Sequence, residues 1–354
     1  MKGILCSLGY LMAFAANAQQ QAQPPKFTSA ERQAVIDTLI AKVNRLYVYE
    51  DVAKKMTAVI RQHQQQHNYD TITNRAVFAK MLTADLHSIN KDGHLGVDYT
   101  ATPAGDEKPE APSEEAANAF RKTWARSNFN FKKVEILEGN IGLLQVDTFF
   151  PSEWIKDLTQ SSMTFLANAD AIIIDVRKNH GFSDGGYLIA SYFFSDPAHW
   201  SDGYDREAKT VRQTWTMPVV PGPKLADKDL YITVSKDCFS ASEDFAYNLQ
   251  ALGRAKVIGE VTGGGAHPTK PYKIGTYFLA AIPFAYSVNP VTHTDWEGKG
   301  VQPDVHVPAD QALLTAQIMA IQAVIKRHPT DKERITYLQK VIAEKEKQLA
   351  ILKK

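Results

Sequence analysis

The sequence predicts an α/β protein: a helical N-terminal region, a layered core in which strands alternate with helices, and a helical C-terminus. Three observations carry this. Apolar residues recur at helical spacing from Thr28 to about residue 90, and again beyond Gln311. Between these regions, short apolar runs, above all Ala171-Ile172-Ile173-Ile174-Asp175-Val176, have the length and continuity of strands buried on both faces. Helical stretches precede or separate those runs, which argues for helices layered on a sheet.

The elements follow in chain order. Met1-Lys2 gives a positive start, Ile4 to Ala16 is a short and mostly apolar stretch, and Ala16-Asn17-Ala18 fits a small-x-small cleavage site. Residues 1–18 therefore read as a secretory signal peptide, too short to span a bilayer as a permanent helix. Residues 19–27, rich in Gln, Pro and Ala, read as a linker. Thr28-Ser29-Ala30-Glu31 has capping-box spacing and opens a helix through Val35, Ile36, Leu39, Ile40, Val43 and Leu46. Further helices are predicted over about Val52–Gln66 and Arg75–Ser88, making residues 28 to about 90 all-helical within an N-terminal helical domain assigned to 28–99. Residues 100–125 turn to Pro, Glu, Ala, Gly and Ser, as expected of a linker.

The core is assigned to 126–312. Lys133–Leu137 and Ile141–Val146, split by Glu138-Gly139-Asn140, predict a β-hairpin. Further strands are expected at Ala171–Val176, Leu230–Val234 and Lys256–Ile258. Residues 313–354 form a helical extension, restarted after Pro329 by Thr330-Asp331-Lys332-Glu333. Its apolar stripe of Ile335, Leu338, Ile342, Leu349 and Leu352 suits packing on the core or against another chain.

Composition narrows the partners. A net charge of +1 with no dense basic run gives no reason to expect nucleic acid. Beyond the signal, no hydrophobic stretch is long enough for stable membrane insertion. Of the two cysteines, Cys6 leaves with the signal, so an exported mature chain keeps Cys238 alone and forms no internal disulfide. His63 and His67 lie four apart on a helix, but without a third ligand nearby they read as a solvated face. No cofactor is implied.

The segment richest in chemistry is Leu230 to Gln250. A buried strand ends near Ser235, a turn follows, and a helix begins at about Ala241. A serine at such a junction can stand exposed at the head of a sheet, where the helix dipole and unpaired first-turn amides favour an anion. Ser240-Ala241-Ser242-Glu243 is equally an ordinary capping box, in which Ser240 does no more than cap the helix.

The surroundings favour catalysis. Asp92-Gly93-His94-Leu95, Gly139-Asn140-Ile141-Gly142, Asp175-Val176-Arg177-Lys178-Asn179-His180-Gly181, Phe239-Ser240-Ala241-Ser242-Glu243, Gly259-Glu260-Val261-Thr262-Gly263-Gly264-Gly265-Ala266-His267-Pro268 and Trp296-Glu297-Gly298-Lys299-Gly300-Val301-Gln302-Pro303-Asp304 occur in one order. In that order they resemble the motifs of the S41 peptidases, the C-terminal-processing and tricorn-like serine peptidases. The likeness is greatest to the branch without a PDZ domain, which includes the modules of interphotoreceptor retinoid-binding protein.

The resemblance implies a layered core like the ClpP/crotonase spiral, an N-terminal helical bundle, and hydrolysis of peptide or unfolded protein substrates by a periplasmic or secreted enzyme. It implies Ser240 as nucleophile. In the processing branch the base is a Lys, but Gly265 stands where that Lys belongs and Lys270 lies further on. The tricorn-like pattern instead matches His94 as base and Glu297 as its orienting group. His267, in the Gly-rich loop, is the rival base. The implied oxyanion donors are the amides of Gly181 and Ala241. Ser242 is a candidate for the supporting hydroxyl that the family carries just before the His, where this chain has Gly93. Phe182 replaces a second glycine and would reshape the substrate pocket or block it. Two other outcomes share the scaffold: an esterase using the same serine, and a non-catalytic carrier of small apolar ligands.

Overall fold

A computed structural model of the chain describes residues 25–104 and 114–353. The signal peptide predicted over 1–18 and part of the linker predicted over 100–125 lie outside the described residues. In chain order the elements are α1 (Ser29–Leu46), α2 (Glu50–Gln65), α3 (Arg75–His87), β1 (Gly96–Tyr99), α4 (Glu114–Ala125), β2 (Phe131–Leu137), β3 (Ile141–Val146), α5 (Ser152–Leu166), β4 (Ala171–Asp175) and α6 (Gly185–Ser191). They continue with β5 (His199–Asp205), β6 (Thr210–Trp215), β7 (Asp229–Val234), α7 (Ala241–Ala251), β8 (Ala255–Gly259), β9 (Thr269–Gly275), β10 (Phe278–Pro283), β11 (Ala285–Val288), β12 (Val305–His306), α8 (Ala309–Arg327) and α9 (Lys332–Leu352).

The chain forms two compact units that do not follow chain order. One holds the described residues through Phe120, together with Tyr204–Thr210 and His267–Tyr286. The other holds Arg121–Gly203, Val211–Ala266 and Ser287–Lys354.

In the first unit α1 starts as its capping residues dictate, with Thr28 Oγ1 accepting the Glu31 N–H at 3.1 Å. Val35, Ile36, Leu39, Val43 and Leu46 then bury one face of the helix. They share a core with Met56 and Ile60 of α2 and with Phe78, Leu82 and Leu86 of α3. This unit is not built from helices alone, although its described stretch up to residue 90 is helical apart from turns. Its core also takes in Val97, Ile274, Phe278, Ala280 and Ile282. These come from a three-stranded antiparallel sheet in the order β1-β10-β9, with Gly96 opposite Ala281 and Ala281 opposite Pro271. β9 and β10 lie far along the chain, inside the segment expected to belong wholly to the core domain.

The second unit has three layers. Its six-stranded sheet runs β12-β8-β7-β4-β3-β2, with the hairpin β2–β3 antiparallel and the other neighbours parallel. The turn of that hairpin uses Gly139 and Asn140 at φ 86° and 59°, a left-handed geometry open to Gly and tolerated by Asn. The apolar run at β4 divides by parity. Ile172 and Ile174 join a core with Ile155, Met163 and Leu166 of α5, Leu188 of α6, and Phe245 and Leu249 of α7. Ala171 and Ile173 join a core on the opposite face with Ala316, Ile321 and Val324 of α8 and Leu338 and Val341 of α9. Of the apolar stripe of the last helix, Leu338 and Ile342 thus pack on their own chain while Leu352 stays exposed, and the helix is fastened further by the Arg334–Asp170 and Lys345–Glu138 ion pairs. Among the described residues no helix is long and apolar enough to cross a membrane.

Candidate active site

In the second unit the candidate residues gather beyond the carboxyl ends of parallel strands, where open α/β sheets commonly bind ligands. The end of β4 is tied down first. Arg177 donates to both oxygens of Asp175, at 2.8 and 2.7 Å, and to the Ala309 carbonyl at 2.6 Å. Asn179 is fully buried; its side-chain amide donates to Val146 O at 3.0 Å, and its Oδ1 accepts the Gly181 N–H at 2.8 Å. The Gly181 N–H is therefore engaged within its own loop. Phe149 closes the loop from the other side, donating to Gly181 O at 3.2 Å and accepting the Ser183 N–H at 2.8 Å.

What Gly181 supplies beside Ser240 is space. It has φ +85°, and a Cβ there would stand 2.7 Å from the Ala241 nitrogen, 2.7 Å from the Phe239 oxygen and 3.0 Å from Ser240 Cβ. Any side chain at this position would cover the first amide of α7.

Ser240 follows β7 and immediately precedes α7. Its backbone has φ 59° and ψ −125°, a region that residues bearing a Cβ rarely enter. Glu243 Oε2 accepts the Ser240 N–H at 3.0 Å, while the Ser242 and Glu243 amides donate to the carbonyls of Phe239 and Ser240. That leaves the Ala241 N–H without a partner among the described residues, at the positive end of the helix.

Glu243 does more than face a cap. It is fully buried and accepts from four donors: Oε1 from Thr262 Oγ1 and from the Gly264 N–H at 2.7 Å, Oε2 from the Gly265 N–H at 2.8 Å and from Ser240. Burial pushes its carboxyl above the usual range, against the pull of those donors. The Gly-rich loop after β8 is thereby pinned to the amide of the candidate nucleophile. From its other side, Trp296 donates its indole N–H to Gly265 O at 2.9 Å, and Glu297 Oε2 accepts the Ala266 N–H at 2.6 Å. Ser242 is fully buried in α7 beside Cys238. Burial raises the Cys238 thiol to about 12, and its Sγ donates to Val176 O at 3.0 Å, so it packs rather than reacts.

The two histidines lie in the first unit. β1 and β9 both run antiparallel to β10, so the residues just before each strand reach the same end of the sheet. His94 lies in the turn before β1 and His267 just before β9, and both are held by Asp92. Asp92 Oδ1 accepts the His94 backbone N–H at 3.0 Å; Oδ2 takes His267 Nδ1 at 2.8 Å and the Tyr47 hydroxyl at 3.2 Å. His267 Nε2 lies 3.3 Å from the Tyr49 hydroxyl. His267 is buried, with both ring nitrogens within hydrogen-bond reach of a partner. His94 is half-buried; burial lowers its pKa from 6.5, with Asp92 opposing and His267 adding to the shift. Lys270 is exposed on β9, its ammonium 3.9 Å from the centroid of the Phe284 ring. His63 and His67 diverge, one to Asp85 at 3.0 Å and the other to Asp70 at 2.9 Å.

Sequence reasoning missed the roles of Glu243, Asn179 and Asp92 as holders of the site. Each stood inside a motif: Asp92 two residues before His94, Asn179 two before Gly181, and Glu243 three after Ser240. Those short offsets were the available signal.

Residues 140–307 match the model of peptidase family S41, and residues 15–138 match that of the N-terminal domain of Peptidase_S41 in eukaryotic IRBP. Among solved structures the chain is similar to the photosystem II D1 C-terminal processing protease, at 14% identity over 80% of this chain and 94% of that one, with a TM-score of 0.50. It is similar to mature CPAF, at 12% identity over 89% and 96%, TM-score 0.53. A lipoprotein from Streptococcus agalactiae matches at 13% identity over 84% and 98%, TM-score 0.53. At these identities the likeness is one of fold. With the peptidase domain and its N-terminal domain both matched on this layered α/β fold, the chain belongs to peptidase family S41, the serine-type peptidases.

Proposed function

We propose that the chain is an exported peptidase that cleaves peptide or unfolded protein substrates through an acyl intermediate on Ser240, with His94 as general base and Glu297 as its orienting group. The observation that carries this reading is the Ser240 backbone at φ 59° and ψ −125°. For a residue with a side chain that conformation costs on the order of 1–3 kcal/mol. Helix capping does not require it, because a capping serine does its work from ordinary extended dihedrals. A sharp, strained turn between strand and helix is what presents a nucleophilic hydroxyl at the head of a sheet.

The chemistry follows. Ser240 Oγ attacks the scissile carbonyl carbon as its proton passes to the His94 imidazole. The negative charge that develops on the carbonyl oxygen is met by the Ala241 N–H, in the space kept open by Gly181. The C–N bond then breaks, His94 returns its proton to the leaving amine, and acyl-Ser240 remains until a water attacks it by the same route. A histidine base suits this chain better than a lysine, since Gly265 carries no side chain and the Lys270 ammonium rests on Phe284. Burial lowers the pKa of His94, which favours the neutral form that a base needs. Export is supported by the Lys2 start and the Ala16-Asn17-Ala18 site.

The test is fluorophosphonate labelling of the extracytoplasmic fraction, beside Ser240→Ala, His94→Ala and Lys270→Ala. The expected outcome is a labelled protein beginning at Gln19, with labelling abolished by the first two changes and kept by the third. A folded wild-type protein that does not label would sink the catalytic reading, and one retained uncut in the cytoplasm would sink export.

A further inference from the structure

We propose that Phe182 forms an apolar subsite, so that the enzyme selects peptides with an aromatic or large aliphatic side chain next to the scissile bond. The proposal rests on the reading of Ser240 as nucleophile. Phe182 directly follows Gly181, whose Cα adjoins Ser240 and the Ala241 amide. It has φ 122°, in the region that favours glycine, and yet the residue is 52% exposed. Neither local backbone preference nor burial accounts for a large apolar residue there. Strain of this kind is tolerated where it serves a site.

The ring is held rather than loose. The Phe149 backbone clamps the loop on both sides of Phe182, and Asp184 fixes the next residues by accepting the Ser152 N–H at 2.9 Å and hydroxyl at 2.7 Å. Phe182 packs edge-on against Phe150, with centroids 5.6 Å apart and planes at 65°. Phe150 is itself 2% exposed, with Trp124 at 5.0 Å, Phe129 at 5.6 Å and Trp154 at 6.3 Å. The outcome is a pre-positioned aromatic face, backed by an aromatic cluster, half exposed, and carried by the residue next to the glycine that adjoins the nucleophile. An apolar substrate side chain laid on it removes apolar surface from water on both partners and adds ring contacts. A charged or small polar side chain gains neither. Discrimination of about 10-fold or more in kcat/KM is the scale expected of such a pocket.

The test uses internally quenched peptides that differ only at the residues flanking the cleaved bond, Phe or Leu against Ser or Asp, with wild type, Phe182→Gly and Phe182→Leu. Glycine adopts φ 122° without strain, so Phe182→Gly removes the ring with no demand on the fold, and thermal melting checks that it folds. The expected result is an apolar preference of about 10-fold or more in wild type, flattened in Phe182→Gly and largely kept in Phe182→Leu. A Phe182→Gly enzyme with the wild-type preference, or one slowed equally on every peptide, would overturn the proposal. Fluorophosphonate labelling of each variant reports on Ser240 separately. A wild type that fails to label is a failure of the nucleophile reading and not of this one.

Discussion

His94 is the residue whose environment has the most direct consequence for activity. Burial holds its imidazole below the ordinary 6.5, Asp92 pulls the other way, and His267 reinforces the depression. If His94 is the base, the acid limb of the labelling rate falls with a midpoint below pH 6.5. Asp92→Asn, which removes the opposing charge, moves that midpoint lower still. A limb unmoved by Asp92→Asn would argue against His94. The effect on stability has the same sign. A histidine whose folded pKa is depressed contributes stability above its unfolded pKa and loses it as pH falls through that range. None of this was legible at residue level beforehand. The Asp92-Gly93-His94 spacing pointed to His94, but the partner that fills Asp92 Oδ2, His267, lies 175 residues away.

Among the elements, α7 carries the strongest prediction. Its N-terminus, the Gly-rich loop and the Ser240 turn are joined through one carboxylate that accepts four hydrogen bonds. Glu243→Gln keeps the volume but turns an NH2 group toward two donors, leaving buried N–H or O–H groups unmatched. The expected loss is about 2–4 kcal/mol in urea unfolding, with slower labelling of Ser240 in the protein that remains folded. Labelling at the wild-type rate would show that the loop does not hold the nucleophile. The sequence displayed Glu243 as a capping-box glutamate, and that was accurate as far as it went. Neighbouring residues could show its bond to the Ser240 amide, but not its bonds to Thr262, Gly264 and Gly265. Cys238, read as a small buried packing residue, is indeed buried, and burial raises its thiol pKa, which disfavours the reactive thiolate.

For the whole molecule, the two units have separate hydrophobic cores. Phe78 is fully buried in the first, against Phe27 at 5.2 Å, Tyr69 at 5.7 Å and Phe278 at 5.8 Å. Phe78→Ala is expected to cost about 3–5 kcal/mol. Hydrogen exchange should then accelerate more in α1–α3, β9 and β10 than in β4 and β7. Uniform acceleration would mean that the units unfold as one. The sequence by itself determined the α1–α3 helices, the β2–β3 hairpin, the doubly buried β4 run, the α8–α9 pair and the order of the family motifs. Each of these is written in periodicity or in residues a few positions apart, so local physics is enough to read it. Only the tertiary structure decided that β9 and β10 complete the first unit, that Ser240 is strained, that the Gly181 N–H meets Asn179 Oδ1 and a Cβ at Gly181 would crowd the Ala241 nitrogen, and that Asp92 gathers both histidines. Those outcomes depend on which distant segments meet, and strand pairing and buried polar networks are settled by the whole chain burying its apolar surface while satisfying every polar group it buries.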